Sequence, residues 1–175
     1  MLIDLTYRCN MGCNHCMSDC KPNGTDMTPE ILKDVLAFCK KNEVPNLIFS
    51  GGEMFENPHI LELLKIIGKE WDKRFPLSFI TNGRKLADTP DIFEAVQDMQ
   101  KKYGKKKIMI QVTDDPRFYP QPLSEKQKYR LKKLDAVIEG VPGNGNKCLY
   151  PQGRTLENFD DSWWNTIAPK CVNVR

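Results

Sequence analysis

The sequence contains no apolar run approaching the roughly 20 residues that a membrane-spanning helix needs. Its first residues, Met1-Leu-Ile-Asp4, lack the basic stretch and long apolar segment of an export signal, so a cytoplasmic, reducing location and no membrane association are expected. Charge of one sign is also scarce: 26 basic against 23 acidic side chains leave a formal +3, too little to argue for a nucleic-acid surface. Low-complexity tracts and short repeats are absent. What is present is a hydrophobic content of 40% in 175 residues, enough for one domain with a sizeable core. Cysteine stands out. There are seven, an odd number, and four fall between Cys9 and Cys20. Without an export signal this disfavours a disulfide scaffold and favours a metal or redox site.

Apolar runs alternate with amphipathic patterns along most of the chain. Leu2–Thr6, Asn46–Ser50, Leu77–Ile80, Lys107–Val112 and Ala136–Ile138 read as strands. Thr28-Pro29 opens a helix whose apolar face is Ile31, Leu32, Val35, Leu36 and Cys39, which makes Cys39 a core residue. Asn57-Pro58 opens a second with Ile60, Leu63, Leu64, Ile67 and Trp71, and Thr89-Pro90 a third with Ile92, Val96, Met99 and Tyr103. Ser124 and Gln127 have the spacing of a capping box. The lysines between Lys101 and Lys107 read as a solvated helix end.

Strand–helix alternation at roughly 30-residue intervals implies parallel βαβ units. Five units fit, whereas a closed eight-unit barrel takes about 250 residues, leaving an open barrel or a doubly wound sheet. In both, ligands sit at the carboxyl ends of the strands. The cysteine-rich loop, Gly51-Gly52-Glu53 and Thr81-Asn82-Gly83 follow the first three strands at that end. Residues 141–175 differ, rich in Gly, Pro and Asn at their start, and read as a tail or last barrel unit packing on a 1–140 core. Trp163 and Trp164 there read as packing residues.

Cys9, Cys13 and Cys16 have the spacing C-x3-C-x2-C, so three thiolates can converge on one centre. Three ligands leave one iron of a [4Fe–4S] cluster open to another molecule. Structural zinc, with Cys20 or His15 as fourth ligand, is the alternative; such sites usually pair C-x2-C with a second pair, which is missing here.

With Cys9, Cys13 and Cys16 so spaced, and Gly51-Gly52-Glu53 one helix and one strand later, the sequence resembles the radical S-adenosylmethionine (SAM) superfamily. The resemblance implies an incomplete (β/α)5–6 parallel barrel, a partial TIM barrel. It implies an enzyme in which a [4Fe–4S] cluster cleaves SAM to a 5′-deoxyadenosyl radical that abstracts hydrogen from a substrate. Glu53 and the backbone of Gly51 and Gly52 would hold the SAM amino group, His15 would lie near adenine, and Thr81 and Asn82 would accompany them. Gln111, Thr113 and Asp114 are ribose candidates, and Gly140 and Val141 lie where adenine usually rests. A peptide or small-metabolite substrate and an electron donor such as flavodoxin or ferredoxin are the expected partners, with glycyl-radical activation and RNA modification ranked below.

Several assignments stay open. Cys20, Cys148 and Cys171 are isolated thiols or ligands of an auxiliary cluster. Asp115, Arg117 and Tyr119 face substrate by position alone. Cys171–Val174 is the candidate sixth strand; without it the chain would be a shortened remnant. The non-enzymatic alternative is a zinc or electron-transfer module using the same thiolates.

Overall fold

The computed structural model describes residues 1–140 and 149–164. Its centre is a five-stranded parallel sheet of β1 (Leu2–Asp4), β2 (Leu47–Ser50), β3 (Leu77–Thr81), β4 (Ile108–Thr113) and β5 (Val137–Glu139). Spatial order equals chain order. A doubly wound sheet reverses direction partway, which this order excludes. Successive right-handed crossovers in one direction place the helices that connect the strands on the same face. The result is an open, partial barrel.

The register shows how the two faces divide. Leu2, Ile48, Ser78 and Met109 lie in one row, and Ile3, Phe49, Phe79 and Ile110 in the next. The second row belongs to the buried core shared with the helices, while Leu2 and Met109 of the first are exposed. The inner, concave face is thus open to solvent below and carries the ligand end above.

Helix α1 (Pro29–Lys41) starts as expected: the Thr28 hydroxyl accepts from the Ile31 N–H at 3.4 Å and Pro29 occupies the first turn. Leu32, Leu36 and Cys39 are buried, but Ile31 is half exposed, so the stripe is narrower than the pattern suggests. Helix α2 (Ile60–Glu70) begins later than Asn57-Pro58 implies. Asn57 is buried instead, its Nδ2 donating to the Leu5 and Met27 carbonyls at 2.7 and 3.0 Å and its Oδ1 accepting from the His59 N–H. A short helix α3 (Arg84–Asp88) follows Gly83, whose φ of +78° suits glycine.

In α4 (Pro90–Tyr103), Ile92, Val96 and Met99 are buried as expected. Gln100 joins them because its Nε2 bridges the Ile108 and Leu134 carbonyls at 3.0 and 2.9 Å. Helix α5 (Glu125–Lys132) carries both bonds of the Ser124–Gln127 capping box. Residues 149–164 include α6 (Thr155–Asn158) and a 3-10 turn at Asp161–Trp163, and Arg154 and Asn158 bond to the cysteine loop at the ligand end. There Phe118 and Leu149 form a second small cluster with Tyr119, Phe159, Trp163 and Trp164, so both tryptophans do pack. The candidate sixth strand, Cys171–Val174, with Val141 and Cys148, lies outside the described residues.

Candidate functional site

The loops after β1 to β4 surround one cavity of about 560 Å³ at the carboxyl ends of the strands. Cys9, Cys13, Cys16, His15, Gly51, Gly52, Thr81, Asn82 and Thr113 line it. Glu53, Gln111 and Gly140 are not among the lining residues, and each has another job in the structure.

Gly51 and Gly52 are required by the chain itself. The segment leading into the cysteine loop crosses directly over them: Gly52 N–H donates to the Thr6 carbonyl at 2.8 Å and Glu53 N–H to the Arg8 carbonyl at 2.9 Å. A Cβ on Gly51, whose φ is +138°, would lie 2.2 Å from the Thr6 oxygen, and one on Gly52 would lie 2.5 Å from that of Arg8. Small residues here bring the first two loops into contact and leave the cavity wall bare backbone.

Glu53 is fully buried. Its Oε1 accepts from the Thr81 hydroxyl at 2.7 Å and the Phe55 N–H at 3.2 Å, and its Oε2 from the Asn82 N–H at 2.7 Å. Burial pushes its carboxyl up to about 7 even against those three donors. The carboxylate therefore fastens the loop after β3 to the loop after β2. The chain of bonds continues: Asn82 Nδ2 donates to Asn10 Oδ1 at 3.1 Å, and Asn10 Nδ2 to Glu56 Oε1 at 2.8 Å. Three loops are held in one hydrogen-bonded unit.

The imidazole of His15 packs against Phe118 at 4.6 Å and Tyr119 at 5.5 Å between ring centroids. Burial pushes its pKa down to about 4, so at neutral pH it is an uncharged aromatic plate. Its Nδ1 is buried without a hydrogen-bond partner among the described residues. Gln111 donates instead toward Glu139 Oε2 at 3.4 Å. Asp114 accepts from the Leu123 N–H at 3.0 Å and lies 3.4 Å from Lys128, so it organises its own loop. Asp115 is buried and pairs with Arg117, and a Cβ on Gly140 would lie 3.0 Å from Asp115 Oδ2. Gly140 thus makes room for Asp115.

The thiols carry the strongest electrostatic signal. Burial first, then the mutual proximity of Cys9 and Cys16, pushes Cys13 up to about 12; burial also raises Cys9. Ionising this set unaided is unfavourable, so it suits a positively charged inorganic group that takes thiolates. Cys9, Cys13 and Cys16 all line one roomy cavity, and three thiolate donors there fit a [4Fe–4S] cluster with one iron left open.

Some cavity residues escape sequence reasoning. Asp4, Leu149, Tyr150 and Arg154 also line it. Asp4 stands on the inner face of β1, in register with Ser50; an acid in a buried-looking strand is the signal that could have found it. No local pattern points to Arg154.

The family model described as Radical SAM superfamily matches residues 3–100. The peptide biosynthesis protein YydG of Bacillus subtilis (strain 168) is 34% identical over 83 residues, which make up 46% of this chain and 25% of YydG. The antilisterial bacteriocin subtilosin biosynthesis protein AlbA of the same strain is 33% identical over 82 residues, 46% of this chain and 17% of AlbA. The chain thus spans a quarter or less of these relatives. Streptococcus suis SuiB, solved bound to the precursor peptide SuiA, has a similar fold, with a TM-score of 0.63 at 15% identity over 84% of this chain and 34% of SuiB.

Proposed function

The chain belongs to the radical SAM superfamily of enzymes, and on that premise we propose that it uses Cys9, Cys13 and Cys16 to hold a [4Fe–4S] cluster for the modification of a peptide. The observation that carries this reading is the convergence of the three cysteines, Gly51-Gly52 and Thr81-Asn82 on one cavity. When bound, the cluster supplies the electron that splits SAM, producing the 5′-deoxyadenosyl radical that takes hydrogen from the substrate.

The protein's own part is to position and to exclude water. Cys9, Cys13 and Cys16 provide the thiolates. Gly51 and Gly52 offer backbone groups with no side chain in the way, and Thr81, Asn82 and Thr113 offer polar atoms for SAM. Glu53 serves the same end indirectly, by holding Thr81 and Asn82 where they are. His15, neutral and backed by Phe118 and Tyr119, presents a flat surface suited to adenine. Leu149 and Tyr150 complete the cavity lining. A peptide substrate is supported by the relatives, two named for peptide or bacteriocin biosynthesis and one solved with a precursor peptide. An electron donor such as flavodoxin or ferredoxin completes the reading.

Anaerobic reconstitution tests it. A brown protein with about four irons and four sulfides, forming 5′-deoxyadenosine from SAM under a reductant, is the expected result. One equivalent of zinc and no colour would establish the zinc module instead.

A further inference from the structure

A short loop carrying three inward thiolates needs donors for its own carbonyls, because a buried carbonyl without a partner is costly. Those donors come from the far end of the chain. The Arg154 N–H donates to the Cys16 carbonyl at 3.0 Å, its Nε to that of Cys13 at 2.9 Å and its Nη1 to that of Cys20 at 3.1 Å. Nη1 also pairs with Asp19 Oδ1 at 2.7 Å. Asn158 Nδ2 reaches the Asn14 carbonyl at 3.2 Å. Four carbonyls of one loop are thus taken by two residues more than 130 positions away.

Gly153 shows how close this approach is. Its φ is +59°, and a Cβ there would lie 2.4 Å from the Met17 oxygen and 2.6 Å from that of Cys16. The guanidinium of Arg154 is thereby held on the backbone of the loop and lines the same cavity as Cys13 and Cys16, which sets its permanent positive charge beside them. The loop's other hydrogen bonds are local, such as the Cys20 N–H to Cys16 Sγ at 3.3 Å, or tie the Asn10 side chain near its start to Glu56 and Asn82.

We infer that residues 153–158 fasten the cysteine loop, with Arg154 as a positioning residue that anchors its carbonyls and places a permanent positive charge beside the thiolates. This rests on the cluster reading for the charge, but not for the fastening. A cation beside a cluster favours its more negative, reduced form, so Arg154 raises the reduction potential.

The full chain is compared with Arg154→Gln, Arg154→Lys and Gly153→Ala. In the metal-free proteins, hydrogen exchange of residues 9–20 is expected to quicken roughly tenfold in Arg154→Gln and Gly153→Ala, with the strands unchanged. In reconstituted proteins, Arg154→Gln releases iron to a chelator faster and has a more negative midpoint potential, which Arg154→Lys restores because it keeps the charge. Unchanged loop exchange overturns the fastening. An unchanged potential in Arg154→Gln overturns the electrostatic role. Exchange quickened equally across the strands also overturns the assignment, since the segment would then support the whole fold rather than the loop. If wild type binds no iron, the cluster reading fails while the exchange comparison still decides the fastening.

Discussion

Glycine and glutamate serve different ends in Gly51-Gly52-Glu53. The glycines let one loop cross another, and the glutamate ties a third loop to the second. Replacing Gly51 with Ala forces a Cβ to 2.2 Å from the Thr6 oxygen and strains a backbone at φ +138°. A cost of about 1–3 kcal/mol is expected in urea unfolding, before any loss of SAM binding. Cys13→Ala should eliminate most of the iron bound after reconstitution; iron content equal to wild type would remove Cys13 from the ligand set. Glu53→Ala is expected to keep the iron and to raise the SAM concentration needed for 5′-deoxyadenosine formation, because it frees Thr81 and Asn82 while leaving the cysteines alone. A variant that lost iron in proportion would place Glu53 in the cluster's support instead.

At the scale of elements, caps and stripes explain most boundaries. The Ser124–Gln127 box satisfies two N–H groups at the start of α5, an eight-residue helix whose only buried residue is Leu131. Such a helix depends on its cap more than α2 does, with its six buried residues. Ser124→Ala should therefore cost about 1 kcal/mol, read as a shift in the urea midpoint at constant slope. Gln100 shows the converse, a polar residue that belongs inside because α4 must reach the carbonyls of Ile108 and Leu134.

For the whole molecule, two buried titratable groups act in opposite directions on the metal-free chain. Glu53 rises from 4.5 to about 7. Its contribution to stability is full below pH 4.5 and is lost as pH climbs through 7. His15 falls from 6.5 to about 4, so its contribution is full above pH 6.5 and is lost as pH drops through 4. Between pH 4.5 and 6.5 they offset each other. Thermal unfolding of Glu53→Gln across that range should show stability rising with pH relative to wild type, as His15 is left uncompensated. A pH profile parallel to that of wild type would mean that Glu53 is already ionised when the protein folds.

Much of this was legible in the sequence for local physical reasons. Among the described residues, apolar periodicity located the five strands and the three long helices, and Thr28, Pro29, Ser124 and Gln127 marked starts because capping is settled within four residues. The cysteine spacing and the two glycines pointed to the site because strand–helix alternation sends every such loop to the same end. What the sequence could not carry was which atoms meet across loops. Glu53 reads in the sequence as an acid for the SAM amino group, and only the packing of Thr81, Phe55 and Asn82 around it shows that it also fastens two loops. Arg154 looked like any basic residue in an irregular stretch. Its partners lie more than 130 residues away, and no periodicity spans that distance. The sequence by itself determined the alternation of elements and the chemistry of the thiolates. The tertiary structure decided which side chains face the cavity and which hold its walls, because hydrogen bonds between distant loops exist only once the sheet has brought them together.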